Sequence, residues 1–398
     1  MPWKINSAIG ERWRLVRSLL RNEESLSHWC RVFGISRKTA YKWRVRFTHG
    51  GRGALRDRSR RPRHQARRLH GRWSYRIGRV RREHPHWGPK KIRAWFVRHG
   101  GASPSQRSIA RVLRRLRLVR KVWQHTRKAG VRLRPELTAA RRANEVWTVD
   151  FKGWFRTANG QRCEPLTVRD LFSRYGLLVR LLPDQRWRPV QAQMRGLFRR
   201  AGLPRIIRVD NGGPFGSKGA AGLARLSVWW LRLGIQVEFI RHGHPEDNGA
   251  HEQFHRVLKR ETTAPVVRTR RGQQQRTNVW LADYNTVRPH EGLGQRRPSQ
   301  LYQRSQRRYP ERLPELKYAA GWTVRRVRSN GQIKWRGRLR FVGEAFVGQN
   351  LGLRAIQTGV QAVSFGHLLI GHLHECDAGG MRPMVYRPRR AAAKKRKV

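Results

Sequence analysis

The chain has 398 residues and a formal net charge of +65, because 89 Lys and Arg outnumber 24 Asp and Glu. This length predicts roughly two to four domains, and a hydrophobic content of 38% is enough for packed cores, which excludes a wholly disordered polycation. Such a charge predicts a polyanionic partner; nucleic acid is the natural one, with binding that weakens as salt rises. An anionic membrane surface is the competing partner, but the sequence has no apolar run of about 18 residues that could span a bilayer.

The cysteines and the two ends of the chain bear on the cellular compartment of the protein. Cys30, Cys163 and Cys376 are far apart, which favours a reducing compartment and argues against a cysteine zinc site. The N-terminal MPWKINSAIGERW lacks the apolar segment of a signal peptide. The C-terminal AAAKKRKV is a basic cluster with two open interpretations: a nuclear-import signal, native or appended as a tag, or a solvated basic tail.

Residues 1–60 predict a helix-turn-helix domain with a basic arm. In SLSHWCRVFGISRKTAYKWRVRF an apolar helix is followed by a turn at Gly34, and Ser36 is the expected N-cap of a second helix. The second helix of such a unit enters the major groove of DNA. An ordinary helical hairpin is the alternative. The residues predicted to face DNA are Arg37, Lys38, Thr39, Tyr41 and Lys42.

Residues 61–123 predict a second helix-turn-helix. The Arg-rich stretch 52–70 before it is expected to be an extended arm on phosphates or in a minor groove, or else a free linker. WGPKKIRAWFVRHGG predicts a helix that ends at Gly100, and the next helix is expected to have Ser103 as its cap and Pro104 as its first residue. Arg107 is the predicted DNA contact of this unit.

Beyond a basic, irregular linker at 124–144, the pattern of residues 145–305 becomes α/β. Three strands (EVWTVDFKGWF, EPLTVRD and YGLLVRLLP) are followed by alternating helices and strands: a helix over 187–200, the strand PRIIRVD, the helix AAGLARLSVWWLRLG, the strand VEFIR and the helix GAHEQFHRVLKRE. This order predicts a mixed sheet flanked by helices.

The C-terminal part of the chain is predicted to contain a small all-β domain. After a linker at 306–318, residues 319–376 alternate as strands do and are expected to form a small SH3-like β-barrel, with a hairpin turn at Asn330-Gly331. Residues 377–398 are predicted to be a basic, disordered tail.

Three carboxylates stand out against the basic background: Asp150, Asp210 and Glu252. Asp150 lies in the first strand of the core, Asp210 ends the fourth, and neighbouring strands would place them side by side. Glu252 lies near the start of a helix. Carboxylates that hold divalent ions against a phosphodiester are the working parts of a phosphoryl-transfer enzyme, and two Mg²⁺ ions about 4 Å apart, with Mn²⁺ as substitute, suit such ligands. Taken singly, the three could instead be an ion-paired strand residue, a turn-former and a solvated helix residue.

Several other residues compete for these roles. Glu246 and Asp247 precede Glu252 and are alternative third ligands. Asp170 ends a strand and is expected to be a turn or ion-pair residue. HEQFH, with His251 and His255, matches the pattern of zinc proteases, in which the two His bind zinc and the Glu is the base. In a DNA-binding protein these two His would flank DNA or pack locally.

The motifs VWTVDFKGWF, RDLFSRY, GLPRIIRVDNGGPF, LSVWWLRLGI, HPEDNGAHEQFHRVLK and YNTVRPHEGL resemble those of bacterial insertion-sequence transposases of the retroviral-integrase superfamily. The resemblance covers roughly residues 20–305. It implies a ribonuclease-H-like core in which Asp150, Asp210 and Glu252 form a catalytic, metal-binding DDE triad. By the same resemblance, Arg256 and Lys259, on the helical face of Glu252, hold the DNA end.

This resemblance implies a DNA transposase. It would bind terminal inverted repeats, nick the element ends and join the 3′ hydroxyl to target double-stranded DNA by two-metal phosphoryl transfer. Two ends joined in one event require at least a homodimer, with no membrane partner. The expected location is the bacterial cytoplasm, at the nucleoid, or the nucleus if AAAKKRKV acts there. The alternatives are a catalytically silent, transposase-derived DNA-binding protein and the zinc protease.

Overall fold

The computed structural model divides the chain into two compact units, residues 1–70 and 71–398. None of the helices it describes combines the length and apolar character needed to cross a bilayer. The residues whose structure is described are 7–59, 69–119, 137–241, 245–377 and 379–384.

The first unit is a three-helix domain. Its helices pack around a core in which Leu15 and Leu55 are fully buried. The predicted N-cap is confirmed, because the Ser36 hydroxyl accepts a hydrogen bond of 3.2 Å from the backbone N–H of Thr39. The helices are α1 (Ala8–Arg21), α2 (Leu26–Val32) and α3 (Arg37–Gly50).

The start of the predicted basic arm is part of this folded unit, contrary to the expectation of an extended segment. Residues 52–55 form a 3-10 turn, and Arg12 donates a hydrogen bond of 2.7 Å to the Leu55 carbonyl. Arg12 also forms a 2.9 Å ion pair with Asp57. Burial of Leu55 explains why the chain does not extend here. Residues 60–68 lie outside the described part.

The second unit begins with another helical group: α4 (Gly71–Glu83), α5 (Pro89–Gly100) and α6 (Gln106–Arg115). The predicted end of α5 at Gly100 is confirmed. The predicted start of α6 was wrong: the cap is Ser105, whose hydroxyl accepts a 3.2 Å hydrogen bond from the Ser108 N–H. Two serines flank Pro104, and only the later one has the N–H groups of the helix within reach.

The central sheet has the mixed topology predicted for a ribonuclease-H-like core. Its first long strand, β1, lies between an antiparallel neighbour, β3, and a parallel neighbour, β5. β6 is parallel to β5, β4 pairs antiparallel with β3, and the short β2 was not predicted. The strands are β1 (Val146–Phe151), β2 (Phe155–Arg156), β3 (Arg162–Asp170), β4 (Gly176–Leu182), β5 (Ile206–Val209) and β6 (Gln236–Phe239).

Two groups of helices pack against this sheet through separate apolar clusters, one including Trp147 and Phe198 and the other Phe254 and Trp280. The predicted helix over 220–234 is interrupted, because Ala221 adopts a left-handed conformation with φ of 56° that an α-helix excludes. The helices are α7 (Trp187–Ala201), α8 (Arg225–Arg232), α9 (Gly249–Thr262) and α10 (Arg270–Thr286).

The C-terminal region contains an open antiparallel sheet with the order β13-β12-β11-β10-β7 and a separate hairpin of β8 and β9. Since the pairings among the described residues do not close, the barrel stays a prediction. The strands are β7 (Thr323–Arg326), β8 (Gln332–Trp335), β9 (Arg338–Phe341), β10 (Asn350–Gln357), β11 (Val360–Phe365), β12 (Leu368–His374) and β13 (Arg382–Pro383).

Two local predictions in this region were wrong. The turn at Asn330-Gly331 exists, but it joins strands of different sheets, and the hairpin instead turns between Trp335 and Arg338. The predicted disordered tail contains β13, which pairs with β12. Residues 385–398, including AAAKKRKV, lie outside the described part of the chain.

Candidate active site

Asp150 and Asp210 lie at the carboxyl ends of two adjacent parallel strands. β1 and β5 pair with Thr148 opposite Arg208, and each aspartate lies two residues further along its own strand direction. The pKa of Asp150 is raised to about 7, first by burial and then by the negative charge of Asp210, with a smaller contribution from Glu252. Asp150 therefore lies close enough to Asp210, and less closely to Glu252, for their negative charges to disfavour its ionised form.

The Asp210 carboxylate has a buried oxygen that no described residue satisfies. Its Oδ1 makes no hydrogen bond with any of them, and burial raises the pKa of this side chain. Among the described residues, the only side-chain donor that contacts the Asp150 carboxylate is weak, an Asn248 amide 3.4 Å from Oδ2. A buried carboxylate oxygen without a donor is costly, and a divalent cation bound by oxygen would remove the cost. The pair of aspartates thus fits a metal ion.

Glu252 lies on the exposed face of α9, together with the two predicted basic residues. Glu252, Arg256 and Lys259 are separated by four and three residues, so they follow one stripe of the helix. All three line an open groove of about 900 Å³, and Lys152 from the end of β1 and His86 from the loop after α4 line it as well. Glu252 therefore faces a groove whose other charged side chains are basic.

The competing acidic residues have other structural roles. Asp247 forms a two-pronged ion pair with Arg241, at 3.0 and 3.1 Å. Asp170 is a turn-former, as predicted, and accepts hydrogen bonds from the backbone N–H and the hydroxyl of Ser173 at 2.8 and 2.6 Å. The side chain of Glu246 lies outside the described part. Glu252 is thus the described acidic residue that faces the groove.

A buried hydrogen-bond network lies directly behind Asp150. The Thr167 hydroxyl is 2.9 Å from the Asp150 backbone carbonyl, 2.6 Å from His251 Nε2 and 2.7 Å from His255 Nε2. The other ring nitrogen of His251 lies 2.6 Å from the Thr148 hydroxyl. The network fixes the buried face of α9 against β1 and β3, and neither threonine was predicted to matter.

Both histidines of this network are neutral at ordinary pH. Burial lowers the pKa of His251 well below its usual value, and the neighbouring His255 and Arg169 lower it further. Burial lowers the pKa of His255 to about 3, with smaller contributions from Lys152 and Arg169. Neutral imidazoles with nitrogens 2.6–2.7 Å from hydroxyl groups hold the sheet and helix together as hydrogen-bonding groups.

The geometry argues against the zinc-protease interpretation of HEQFH. Potential ligand atoms of Asp150, His251 and His255 do lie within 4.8 Å of one another. Both ring nitrogens of His251 are hydrogen-bonded to threonines, however, at 2.6 Å each. His251 therefore has no free ring nitrogen to give to a zinc ion, and the two-histidine ligand pair of a zinc protease is not available.

The predicted DNA-facing residues of the two helix-turn-helix units are largely accessible. Thr39 is partly buried, with its hydroxyl 3.0 Å from that of Ser36. The exposed ones are Arg37, Lys38, Tyr41 and Lys42 on α3 and Arg107 on α6. Exposed cations on the second or third helix of such units are suitably placed for a polyanion, although their contacts with DNA remain a prediction.

Sequence models of known families match successive parts of the chain. A helix-turn-helix domain matches residues 11–63 and a homeodomain-like domain matches residues 39–113. Two models of the integrase core domain match residues 140–245 and 233–298. The C-terminal domain of IS481 family transposases matches residues 322–374.

Similar proteins come from insertion elements. The chain is 26% identical over 228 residues to an uncharacterized 31.7 kDa protein of insertion element IS407 from Burkholderia multivorans, covering 57% of the chain and 79% of that protein. It is 30% identical over 187 residues to an uncharacterized 39.2 kDa protein of insertion element IS476 from Xanthomonas euvesicatoria. That alignment covers 44% of the chain and 49% of the relative, so the chain spans about half the length of this second protein.

Solved structures with some likeness are retroviral. The HTLV-2 integrase catalytic core domain in complex with magnesium is 14% identical, with a TM-score of 0.33, and the match covers 42% of this chain and all of that one. A chain of the simian T-cell lymphotropic virus intasome in complex with the PP2A regulatory subunit B56 gamma is 15% identical, with a TM-score of 0.37, over 74% and 97% of the two chains.

The sheet order and the family matches agree on the same region of the chain. β1 to β6, with α7 to α9, lie within the residues that match the two integrase-core models. The chain therefore contains an integrase core domain, with helix-turn-helix domains before it and a match to a transposase C-terminal domain after it.

Proposed function

We propose that this protein is a DNA transposase that cuts and joins DNA strands by metal-dependent phosphoryl transfer. The observation that carries the proposal is the position of the three carboxylates. Asp150 and Asp210 lie at the ends of adjacent parallel strands, and Glu252 opens onto a groove lined by cations. Asp150 is buried near the negative charges of Asp210 and Glu252, and a bound cation would offset both unfavourable effects.

Asp150, Asp210 and Glu252 would hold the divalent ions, with Mg²⁺ as the preferred ion. When bound, the ions supply activation of the attacking oxygen and stabilisation of the leaving one. The unsatisfied Oδ1 of Asp210 supports this ligand assignment. Because the Thr167 network fixes both β1 and α9, the carboxylates are held in place before substrate arrives, which reduces the reorganisation that catalysis would otherwise require.

The basic residues of the groove would position the DNA. Arg256 and Lys259 lie on the face of Glu252 and can neutralise phosphates on either side of the bond to be cut. The exposed cations of α3 and Arg107 on α6 would bind the terminal inverted repeats. Because two ends are joined in one event, the active form would be at least a homodimer.

The experiment is a strand-cleavage and strand-joining assay with DNA that carries the sequences flanking the coding region. The wild type is compared with Asp150→Asn, Asp210→Asn and Glu252→Gln, in Mg²⁺ or in chelator. Asp184→Asn is the matched control, since Asp184 is an accessible carboxylate whose side chain pairs with Arg186 outside the site.

We expect the three site variants to lose cleavage and joining while they keep DNA binding, and Asp184→Asn to keep both. Cleavage that survives in Asp150→Asn would remove the mechanism. A wild type that binds the flanking DNA but never cuts it in Mg²⁺ would instead favour the catalytically silent DNA-binding protein.

A further inference from the structure

We propose that His255 supplies a nitrogen ligand to the divalent ion held by Asp150, so that this metal position has mixed oxygen and nitrogen donors. The inference rests on the proposed function, because it presupposes an ion at the carboxylates. It adds a ligand that the three-carboxylate assignment does not contain. The observation behind it is the direction of the hydrogen bonds around Thr167, which determines where the hydrogens of two buried histidines lie.

The Thr167 hydroxyl has three hydrogen-bond partners but only one hydrogen to donate. One partner, the backbone carbonyl of Asp150 at 2.9 Å, can only accept. The hydroxyl hydrogen must therefore go to that carbonyl, and the hydroxyl oxygen accepts from the other two partners. Those partners are the Nε2 atoms of His251 and His255, at 2.6 and 2.7 Å, so both Nε2 atoms carry a hydrogen.

The other ring nitrogens of the two histidines differ in their surroundings. The Thr148 hydroxyl lies 2.6 Å from His251 Nδ1 and 3.4 Å from its other acceptor, the Arg169 carbonyl, so it donates to Nδ1 and occupies that lone pair. His255 Nδ1 has the Asp150 carboxylate as its neighbour, with Oδ2 at 3.9 Å, which is too long for a hydrogen bond. A neutral imidazole with hydrogen on Nε2 has its lone pair on Nδ1. Two acceptors thus face one another across a short gap.

A divalent cation fits between these two acceptors. Bonds from such an ion to imidazole nitrogen or carboxylate oxygen are about 2.0–2.2 Å long, so two ligands of one ion are separated by at most about 4.4 Å. The 3.9 Å between His255 Nδ1 and Asp150 Oδ2 lies within that span. The hydrogen bond from Nε2 to Thr167 also orients the ring, as metal-binding histidines generally require.

A nitrogen ligand has a consequence for metal choice. Mg²⁺ prefers oxygen ligands, whereas imidazole binds transition-metal ions well. The position at Asp150 and His255 should therefore bind Mn²⁺ more tightly, relative to Mg²⁺, than three carboxylates alone would. Removing the imidazole nitrogen should lower the affinity for Mn²⁺ and leave the affinity for Mg²⁺ less affected.

The test is pulsed electron paramagnetic resonance of Mn²⁺ bound to the full-length chain, which detects ¹⁴N nuclei in the coordination shell. We expect a ¹⁴N modulation in the wild type that is lost in His255→Gln. It should persist in His86→Gln, the matched control, because His86 lines the same groove. Labelling the histidines of the unmutated chain with ¹⁵N should also remove the ¹⁴N modulation. This measurement does not depend on the stability of any variant.

The outcomes separate this inference from the proposed function. Bound Mn²⁺ without ¹⁴N modulation in the wild type, or with modulation that persists in His255→Gln, overturns the role of His255 and leaves the carboxylate site intact. Absence of bound Mn²⁺, or binding that Asp150→Asn does not weaken, overturns the metal site and with it the proposed function.

Discussion

Thr167 and Asp150 are direct register partners across β3 and β1, and the Thr167 hydroxyl is hydrogen-bonded to the Asp150 backbone carbonyl at 2.9 Å. Partners in an antiparallel pair direct their side chains to the same face of the sheet, here the face covered by α9. One hydroxyl thus links the strand that carries the first carboxylate to the helix that carries the third.

Replacing this hydroxyl should loosen the site. In Thr167→Val the Nε2–H groups of His251 and His255 lose a common acceptor inside the protein, which should cost about 2–3 kcal/mol of unfolding free energy. Thr167→Ser, which keeps the hydroxyl, is the control and should lose much less. Urea unfolding followed by tryptophan fluorescence measures both. Equal stability of the Val and Ser variants would show that the network does not contribute.

The raised pKa of Asp150 predicts a specific pH dependence. Its folded pKa of about 7 exceeds the ordinary value of 3.8, so the folded state binds the proton more tightly between these values. Stability of the metal-free protein should therefore fall as pH rises from about 4 to about 7. At pH 8 in chelator, Asp150→Asn should be more stable than the wild type, on the order of 2 kcal/mol, and less so at pH 5.

Thermal unfolding at both pH values, with and without Mg²⁺, checks this expectation. Mg²⁺ should stabilise the wild type at pH 8 and have little effect on Asp150→Asn. A wild type that is as stable as the variant in chelator at pH 8 would contradict the raised pKa of Asp150.

A buried ion pair holds the edge of the sheet. Arg208 and Glu238 are partners across β5 and β6, their charged groups are 2.6 Å apart, and their side chains are only 7% and 5% exposed. Both also bind the backbone of Thr138, at 2.7 and 2.9 Å. Glu238→Gln leaves the buried guanidinium without its counter-charge and should cost about 3–5 kcal/mol of unfolding free energy.

The paired replacement is the control for this ion pair. Arg208→Met combined with Glu238→Leu removes both charges, so it should be considerably more stable than Glu238→Gln alone. Urea unfolding of the three proteins measures the difference. A double variant that is less stable than Glu238→Gln would mean that the cost of the single variant does not come from an uncompensated buried charge.

Lys91 of α5 is predicted to reduce stability at neutral pH. Burial, followed by the positive charge of Arg288, lowers its pKa from 10.5 to about 7. The unfolded chain then binds the proton more tightly between these values, so stability should rise with pH across this window. Lys91→Met should raise the melting temperature at pH 7 and have a smaller effect at pH 10. The neighbouring Lys90→Met, which loses an exposed pair with Glu291, should give no such gain.

The first helix-turn-helix should bind DNA through α3. Arg37→Ala should weaken binding and, if the contact is to a phosphate, lower the slope of log affinity against log salt by about 1. Arg17→Ala removes the same charge from an exposed position on α1 and is the matched control. Fluorescence anisotropy at several salt concentrations measures both. Equal losses in the two variants would indicate general charge attraction instead of a specific binding helix.

Much of the fold could be predicted because its signals are local. Apolar periodicity identified the long strands and most helices, and a single hydroxyl, that of Ser36, identified a helix start. Prediction failed where two neighbouring residues could each cap a helix, as with the two serines around Pro104. It also failed where a left-handed backbone conformation interrupts a helix, as at Ala221. α10 was not predicted either, since its sequence is largely polar with scattered apolar residues.

The candidate site was only partly accessible to prediction. The three carboxylates stand out because they interrupt a basic sequence, and their motifs resemble a known family. The hydrogen-bond network around Thr167 could not be predicted, because Thr167 is 84 and 88 residues away from His251 and His255 in the sequence. Nothing in the sequence around a strand threonine indicates such a contact. Such long-range hydroxyl contacts become visible only when the sheet and helix are assembled.

Mg²⁺-dependent joining of a DNA 3′ hydroxyl end to target DNA by Glu252→Gln tests whether the third carboxylate holds a catalytic metal ion. Glu252 is exposed on α9, so its replacement should leave the fold and the affinity for DNA unchanged. We predict that joining falls by roughly 10³-fold or more, because a metal-binding carboxylate contributes several kcal/mol to phosphoryl transfer. Joining by Glu252→Gln at the wild-type rate would mean that Glu252 is not a metal ligand in the reaction.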